Sequence, residues 1–204
     1  MGKLFGGSTV MQSKASPEQR TQALKLTLEE KGLLPDGALQ KIVHDYEEDI
    51  NWHNGAKVVA RAWTDPNYRQ RLSNNATAAC AELGFEGIQG EYIVALECLP
   101  KTHHAVVCTQ CSCTPWPVMG LPPNWYKSPE YRARVVRNSR QVLLELGLDL
   151  ASDVNIRVWD TTAETRYIVL PLQPAETQGW DEAALLSIIS RESMFGITQV
   201  SAQR

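Results

Sequence analysis

Three of the chain's five cysteines, Cys108, Cys111 and Cys113, fall within a six-residue stretch. Thiolates crowded this closely share a charge problem that a cation resolves and that packing alone does not. Only Ser112 separates Cys111 from Cys113, which is tighter than the two-residue spacing of zinc knuckles and ribbons. So short a Cys-Ser-Cys chelate draws a metal towards the intervening backbone. The amide nitrogens of Ser112 and Cys113 then become candidate ligands for a metal acidic enough to displace their protons. Three sulfurs and two nitrogens fill a square pyramid and leave one position open, where a Lewis acid activates substrate or water. Cysteines at such a site are also candidates for oxidation to sulfenic and sulfinic acids. Spacing alone leaves three other readings open: tetrahedral zinc completed by His103 or His104, a redox pair of Cys108 and Cys111, or buried inert thiols.

The surrounding pattern shows what must hold this loop. Ala105 to Val107 is a β-type run that delivers Cys108 to a sheet edge, and Tyr92 to Leu96 is a second. Pro115, Pro117, Pro122 and Pro123 mark residues 109–127 as a loop. Ser128-Pro129-Glu130 starts a helix that runs through Tyr131 and Val135 towards a stop at Gly147. Val154, Ile156 and Val158 alternate with polar residues as a half-buried strand does, and Asp160 to Glu164 is expected to turn it back as a hairpin into Arg166–Leu170. Asp181 caps a last helix carrying Leu185, Ile188 and Ile189.

Upstream, Ser16-Pro17-Glu18-Gln19 reads as a capping box that opens a helix ending at Gly32. Leu39, Ile42, Val43 and Tyr46 recur at helical spacing in a second. A third spans Ala56 to Trp63, and a fourth runs from Pro66 to Gly84. The expected fold class is α+β: a flexible tail at 1–15, a helical arm at 16–85 that contacts a partner subunit, and a layered α-β-β-α metal-binding domain at 86–204. Helices gathered early and strands late predict segregated layers and not alternating βαβ units.

Composition removes several function classes. Lys+Arg 20 against Asp+Glu 23 leaves a net charge of −3, without the basic footprint of a nucleic-acid binder. No apolar run approaches the ~18 residues of a membrane span. The first residues lack the charged-then-apolar profile of a secretory signal, and Gly6 stands where a myristoylation site wants Ser or Thr. The expectation is therefore a cytoplasmic protein that binds neither nucleic acid nor membrane.

Longer stretches carry a resemblance. Cys108-Thr-Gln-Cys-Ser-Cys-Thr114, the following Pro-Trp-Pro-Val-Met-Gly-Leu-Pro-Pro-Asn-Trp-Tyr-Lys127 and Tyr131-Arg-Ala-Arg-Val-Val-Arg137 closely resemble the α subunit of nitrile hydratase. So do Gly55 to Pro66, Gln89 to Tyr92, Val158 to Arg166 and Arg191 to Met194, so that the likeness runs from about Lys31 to Ile197. The resemblance implies an enzyme that adds water to small nitriles to give amides, at a low-spin non-haem Fe(III) or a non-corrin Co(III). It implies metal ligation by the sulfurs of Cys108, Cys111 and Cys113 and by the amide nitrogens of Ser112 and Cys113. Cys111 is then a sulfinate and Cys113 a sulfenate, whose oxygen serves as nucleophile or base beside an open sixth position. A β subunit would supply balancing arginines, in an αβ heterodimer that pairs into a heterotetramer. In-chain, Arg166 and Gln89 resemble residues standing behind the ligands, the other readings being an exposed strand cation and a turn residue beside Gly90; Trp116 either lines the substrate pocket or fills space between two prolines.

Two departures bear on the metal. Cobalt members tend to carry Thr after the first cysteine and Tyr after the third, iron members Ser and Thr; here Thr109 is cobalt-like and Thr114 iron-like. Gln110 replaces the usual Leu. The flanks Gly90 to Ala95 and Ala151 to Asp153 look more like iron members, so iron is the expected metal. A thiocyanate hydrolase-type subunit and a structural zinc module are the alternatives. Asp160 and Glu164 are read as outer hydrogen-bonding groups or turn residues, His103 and His104 as strand-edge residues, and Cys80 and Cys98 as buried thiols without an assigned role.

Overall fold

A computed structural model describes residues 15–202. The targeting readings made on the first residues, and the expected tail up to residue 14, lie outside the described residues. The chain divides between His44 and Asp45 into two compact units.

Among its described residues the first unit holds two helices. In α1 (Pro17–Glu30) both halves of the capping box form: Ser16 accepts from the Gln19 amide and Gln19 accepts from the Ser16 amide. Pro17 fits because the first helical N–H needs no partner. Following α2 (Ala38–His44), the unit ends. Neither helix buries a residue, and Leu24, Leu26, Leu33, Leu39, Ile42 and Val43 are exposed.

The second unit opens on a π-helical turn, Asp45–Asp49, and then α3 (Trp52–Thr64), capped by the Asn51 side chain. Its apolar stripe, Ala56, Val58, Val59, Ala60 and Ala62, is at most 1% exposed. At Gly55 α3 meets α6 (Trp116–Met119) so closely that a Cβ would sit 2.2 Å from the Val118 carbonyl oxygen. Asp65 caps α4 (Pro66–Asn74). The helix expected over 66–84 is in fact two, because Asn75 leaves helical geometry and its side chain caps α5 (Ala76–Ala81). Likewise the segment after Ser128 breaks into α7 (Pro129–Val135) and α8 (Ser139–Glu145) at Asn138, whose backbone is non-helical. The last expected helix is also two, α9 (Glu182–Leu186) and α10 (Arg191–Met194). The division at 44/45 differs from the boundary drawn at 85, since α3 buries its apolar stripe in the core of the second unit.

Four strands follow: β1 (Ile93–Glu97), β2 (Thr102–Val107), β3 (Asn155–Asp160) and β4 (Arg166–Leu170). The expected β3–β4 hairpin does not form. Instead β2 pairs in parallel with β3, from Thr102↔Asn155 to Val107↔Asp160, and β1 in parallel with β4, from Ile93↔Arg166 to Glu97↔Leu170. Alternation in 154–158 signals a half-buried strand but carries no information about its partner. Parallel pairing demands a long crossover, which the loop, α6, α7 and α8 supply between β2 and β3.

The result remains a mixed helix-and-strand fold. Its aromatic heart is Trp125, Tyr126, Tyr131 and Phe195, with ring centroids 4.7–6.1 Å apart. Gly196, at φ +74, brings the chain after α10 against β2, where a Cβ would lie 1.8 Å from the His104 oxygen. Among the described residues no helix is long and apolar enough to cross a membrane.

Candidate metal centre

The parallel β2–β3 pair ends at one edge, and the cysteine loop starts there. Val107 is the last residue of β2, opposite Asp160, the last of β3. Cys108 follows directly, 1% exposed, and the chain turns so that Cys111 is exposed and Cys113 half-buried. The Cys108 and Cys111 sulfurs are 3.4 Å apart, those of Cys111 and Cys113 3.0 Å, and all three lie within 4.8 Å of one another. Among the described residues this is the one such group of three metal-ligating side chains.

The loop is held by its backbone. Asp160 takes the Thr109 amide at 2.9 Å and the Thr109 hydroxyl at 2.5 Å. Arg132, from α7, donates to the carbonyls of Gln110 (3.3 Å) and Cys111 (3.0 Å). The Thr161 and Tyr126 hydroxyls both donate to the Cys113 carbonyl, at 3.2 and 3.3 Å. The Thr114 hydroxyl donates to Gly120 at the end of α6. The aromatic cluster fixes Tyr126, and Tyr131 ties α7 to β2 by donating to Val106 at 2.7 Å.

Environment separates the thiols. Burial alone pushes the Cys108 thiol up. Hydrogen bonds from the Thr161 side chain, the Cys113 and Cys111 backbone and the Cys111 thiol outweigh that and hold it down at about 7. Cys113 is pushed up to about 12 by burial, by the Cys111 thiol and by charge on Cys108 and Cys111, against an opposing pull from Arg166. Charge on Cys108 thus disfavours the thiolate of Cys113, a repulsion that a bound cation relieves.

Arg166 begins β4, is 5% exposed, and donates to the Ala163 carbonyl at 2.6 Å and to the Gln89 side-chain oxygen. Gln89 stands at φ +65, the one non-glycine with positive φ among the described residues, and its amide is taken by Glu91. A strained residue persists where its surroundings over-determine it, and Arg166 supplies part of that constraint. Sequence reasoning named this pair and the three cysteines. Trp116 opens α6 and packs edge-on against Tyr46 at 5.7 Å. An open depression of about 410 Å³ beside the loop is lined instead by Thr109, Pro129, Arg132, Ala133, Val136 and Arg137.

Of the two readings of Asp160 the hydrogen-bonding one holds: it clamps the loop and is no hairpin residue. Other outer residues stand differently from expectation. His103 and His104 lie inside β2, buried, and not at a strand edge. His103 is hydrogen-bonded to Gly196 at 2.7 Å, and His104 takes the Trp159 indole N–H at 2.9 Å, so both rings are engaged away from the thiols. Burial holds both below the usual imidazole range. Cys98 accepts the His104 amide at 3.4 Å, and Cys80 is fully buried. Sequence reasoning missed Arg132, Thr161 and Tyr126 as clamps. Each lies at least 13 residues from the carbonyl it holds, beyond the reach of local pattern.

The donor set fits a borderline-soft transition metal: three converging sulfurs, with two buried guanidinium nitrogens, the Nε atoms of Arg132 and Arg166, left without a partner. Guanidinium groups whose hydrogen bonds leave no carboxylate to neutralise them are what an anionic metal–thiolate group needs around it.

Residues 15–198 match the family "nitrile hydratase, alpha chain". The chain is 50% identical over 182 residues to the α subunit of the high-molecular-weight cobalt-containing nitrile hydratase of Rhodococcus rhodochrous, covering 89% of this chain and 90% of that one. It resembles the solved Fe-type nitrile hydratase of Comamonas testosteroni Ni1, a double mutant, with a TM-score of 0.81, 42% identity and 94% of each chain covered. A recombinant thiocyanate hydrolase with partially modified cobalt centres gives a TM-score of 0.82 at 36% identity, covering 93% of each chain. The claw of three cysteines at the β2–β3 edge and the match across nearly all of the described residues agree: the chain belongs to the nitrile hydratase α-chain family, and the enzyme activity it serves is nitrile hydration.

Proposed function

We propose that this chain carries the metal of a nitrile hydratase that converts small nitriles to amides and works with a β subunit in an αβ heterodimer that pairs into a heterotetramer. The observation that carries this reading is the convergence of three sulfurs within 4.8 Å on a loop clamped at four backbone carbonyls or amides. The sulfurs of Cys108, Cys111 and Cys113 and the amide nitrogens of Ser112 and Cys113 would hold the metal. When bound, the metal would supply a Lewis acid to polarise the nitrile or activate water.

The remaining work falls to the chain's own residues. The exposed Cys111 and half-buried Cys113 are open to an oxidant that the 1%-exposed Cys108 is shielded from. This supports sulfinate at Cys111 and sulfenate at Cys113, the latter oxygen accepting a proton or attacking the nitrile carbon. Arg166 balances negative charge at Cys113 and is oriented by Gln89. Trp116 packs the substrate's approach. We assign iron, from the iron-like flanks of the loop and from Thr114. Cobalt is the second reading, supported by Thr109 and by the cobalt-containing relative at 50% identity.

Metal analysis of the purified protein, with peptide mass spectrometry of residues 108–113, tests the reading. The expected result is iron, or cobalt on the second reading, with two added oxygens on Cys111 and one on Cys113. Zinc with unmodified thiols sinks the catalytic reading, and turnover of a nitrile by this chain alone contradicts the need for a partner.

A further inference from the structure

We infer that Arg132 is a positioning residue: it locks the cysteine loop in its metal-holding shape and provides an in-chain positive charge beside Cys111. Its base is rigid. Ser128 caps α7, and the Tyr131 hydroxyl anchors that helix to Val106, two residues before Cys108. From this platform one guanidinium nitrogen reaches two consecutive carbonyls, Gln110 at 3.3 Å and Cys111 at 3.0 Å. These carbonyls bracket Cys111, the exposed thiol of the three. Fixing the peptide planes on both sides of Cys111 fixes the direction in which its sulfur and the Ser112 amide point.

The charge is as telling as the geometry. The Arg132 Nε is buried without a hydrogen-bond partner, a cost that a nearby anionic group offsets. Arg132 forms no ion pair with a carboxylate among the described residues, whereas its neighbour Arg134, two positions on, pairs with Glu145 at 2.8 Å. Arg166 is committed elsewhere, to Ala163 and Gln89. Arginine suits the position because the planar guanidinium holds the two N–H bonds of that nitrogen in fixed directions, whereas a lysine ammonium rotates freely at the end of a flexible stem.

This inference rests on the metal reading given above, and its test separates the two. The enzyme is purified with its partner subunit as wild type, Arg132→Gln, Arg132→Lys and the surface control Arg134→Gln. Four quantities are read: iron or cobalt per chain, the rate of metal loss to excess chelator, the sulfur-to-metal charge-transfer absorption, and the melting temperature. Arg132→Gln is expected to lose metal at least tenfold faster with a shifted band. Arg132→Lys should fall between it and wild type, and Arg134→Gln should match wild type. Release at the wild-type rate with an unchanged band in Arg132→Gln overturns the role. If Arg132→Gln does not fold, Arg132→Lys decides, and a wild-type release rate there overturns it too. A wild type that holds zinc on unmodified thiols sinks the hydratase reading; a loaded wild type beside an equally tenacious Arg132→Gln sinks only the role of Arg132.

Discussion

Gly55→Ala sets two opposing terms against each other inside α3. Alanine in a helix interior gains at most about 1 kcal/mol over glycine from backbone entropy. Against this, the new Cβ would sit 2.2 Å from the Val118 carbonyl oxygen and 2.9 Å from the Met194 sulfur. The methionine can turn aside, since its thioether is flexible. The carbonyl cannot, because it belongs to α6, whose neighbour Pro117 is already tied to α3 by the Asn54 side chain at 3.1 Å. Relieving the clash therefore requires α3 and α6 to part by about 1 Å, and overpacking of that kind costs about 1–3 kcal/mol. The clash wins, with a net loss of about 1–2 kcal/mol. For a chain of this size each kcal/mol lowers the melting temperature by about 2–4 °C, so Gly55→Ala should melt about 2–8 °C below wild type. Circular dichroism melts at matched protein and metal concentration check this, since bound metal raises the melting temperature by itself. A melting temperature equal to or above wild type refutes the claim that α3 and α6 meet backbone to backbone at this glycine.

Two further outcomes follow from the same geometry. The Cys113 carbonyl takes hydroxyl donors from Tyr126 and Thr161, so Tyr126→Phe and Thr161→Val should each cost about 0.5–1.5 kcal/mol, and the double variant should cost more than their sum by about 0.5 kcal/mol or more; strict additivity in urea unfolding argues against a shared acceptor. His103 and His104 are held below 6.5 by burial, with Arg157 and His103 adding to the effect at His104. Below 6.5 the unfolded chain thus binds more protons than the folded one, and stability falls as pH drops through that value. The urea midpoint should be lower at pH 5.5 than at pH 7.5, a window above the ordinary carboxylate value of 4.5, and equal midpoints contradict it.

The local grammar of this fold was legible where one residue decides the outcome. Ser16, Ser128 and Asp181 each start a helix as their side chains predict. Asn75 has the same capping chemistry but lies inside a helix-compatible run, so the break before α5 was hidden. Strand existence was readable from alternation, whereas pairing was not. Nothing in Asn155–Asp160 says that its neighbour lies 53 residues upstream and not across the next turn. The site divides in the same way. Its three thiols announce themselves by spacing, and Arg166 and Gln89 by resemblance. Arg132, Tyr126 and Thr161 act through main-chain carbonyls, which are identical at every position and leave no trace in residue types.

The register of β2 against β3 therefore has a consequence beyond the sheet. Val107 faces Asp160, and that pairing puts the carboxylate within reach of Thr109 and sets Thr161 beneath Cys113. Side chains alternate faces along a strand, so a slip of one residue would turn Asp160 to the opposite face and release both ends of the loop. A chain paired one step out of phase would still hydrogen-bond as a sheet, but its thiols would have no common focus. Uptake of the ion thus proofreads the pairing of two strands, and only correctly threaded molecules gain the extra stability of the filled claw.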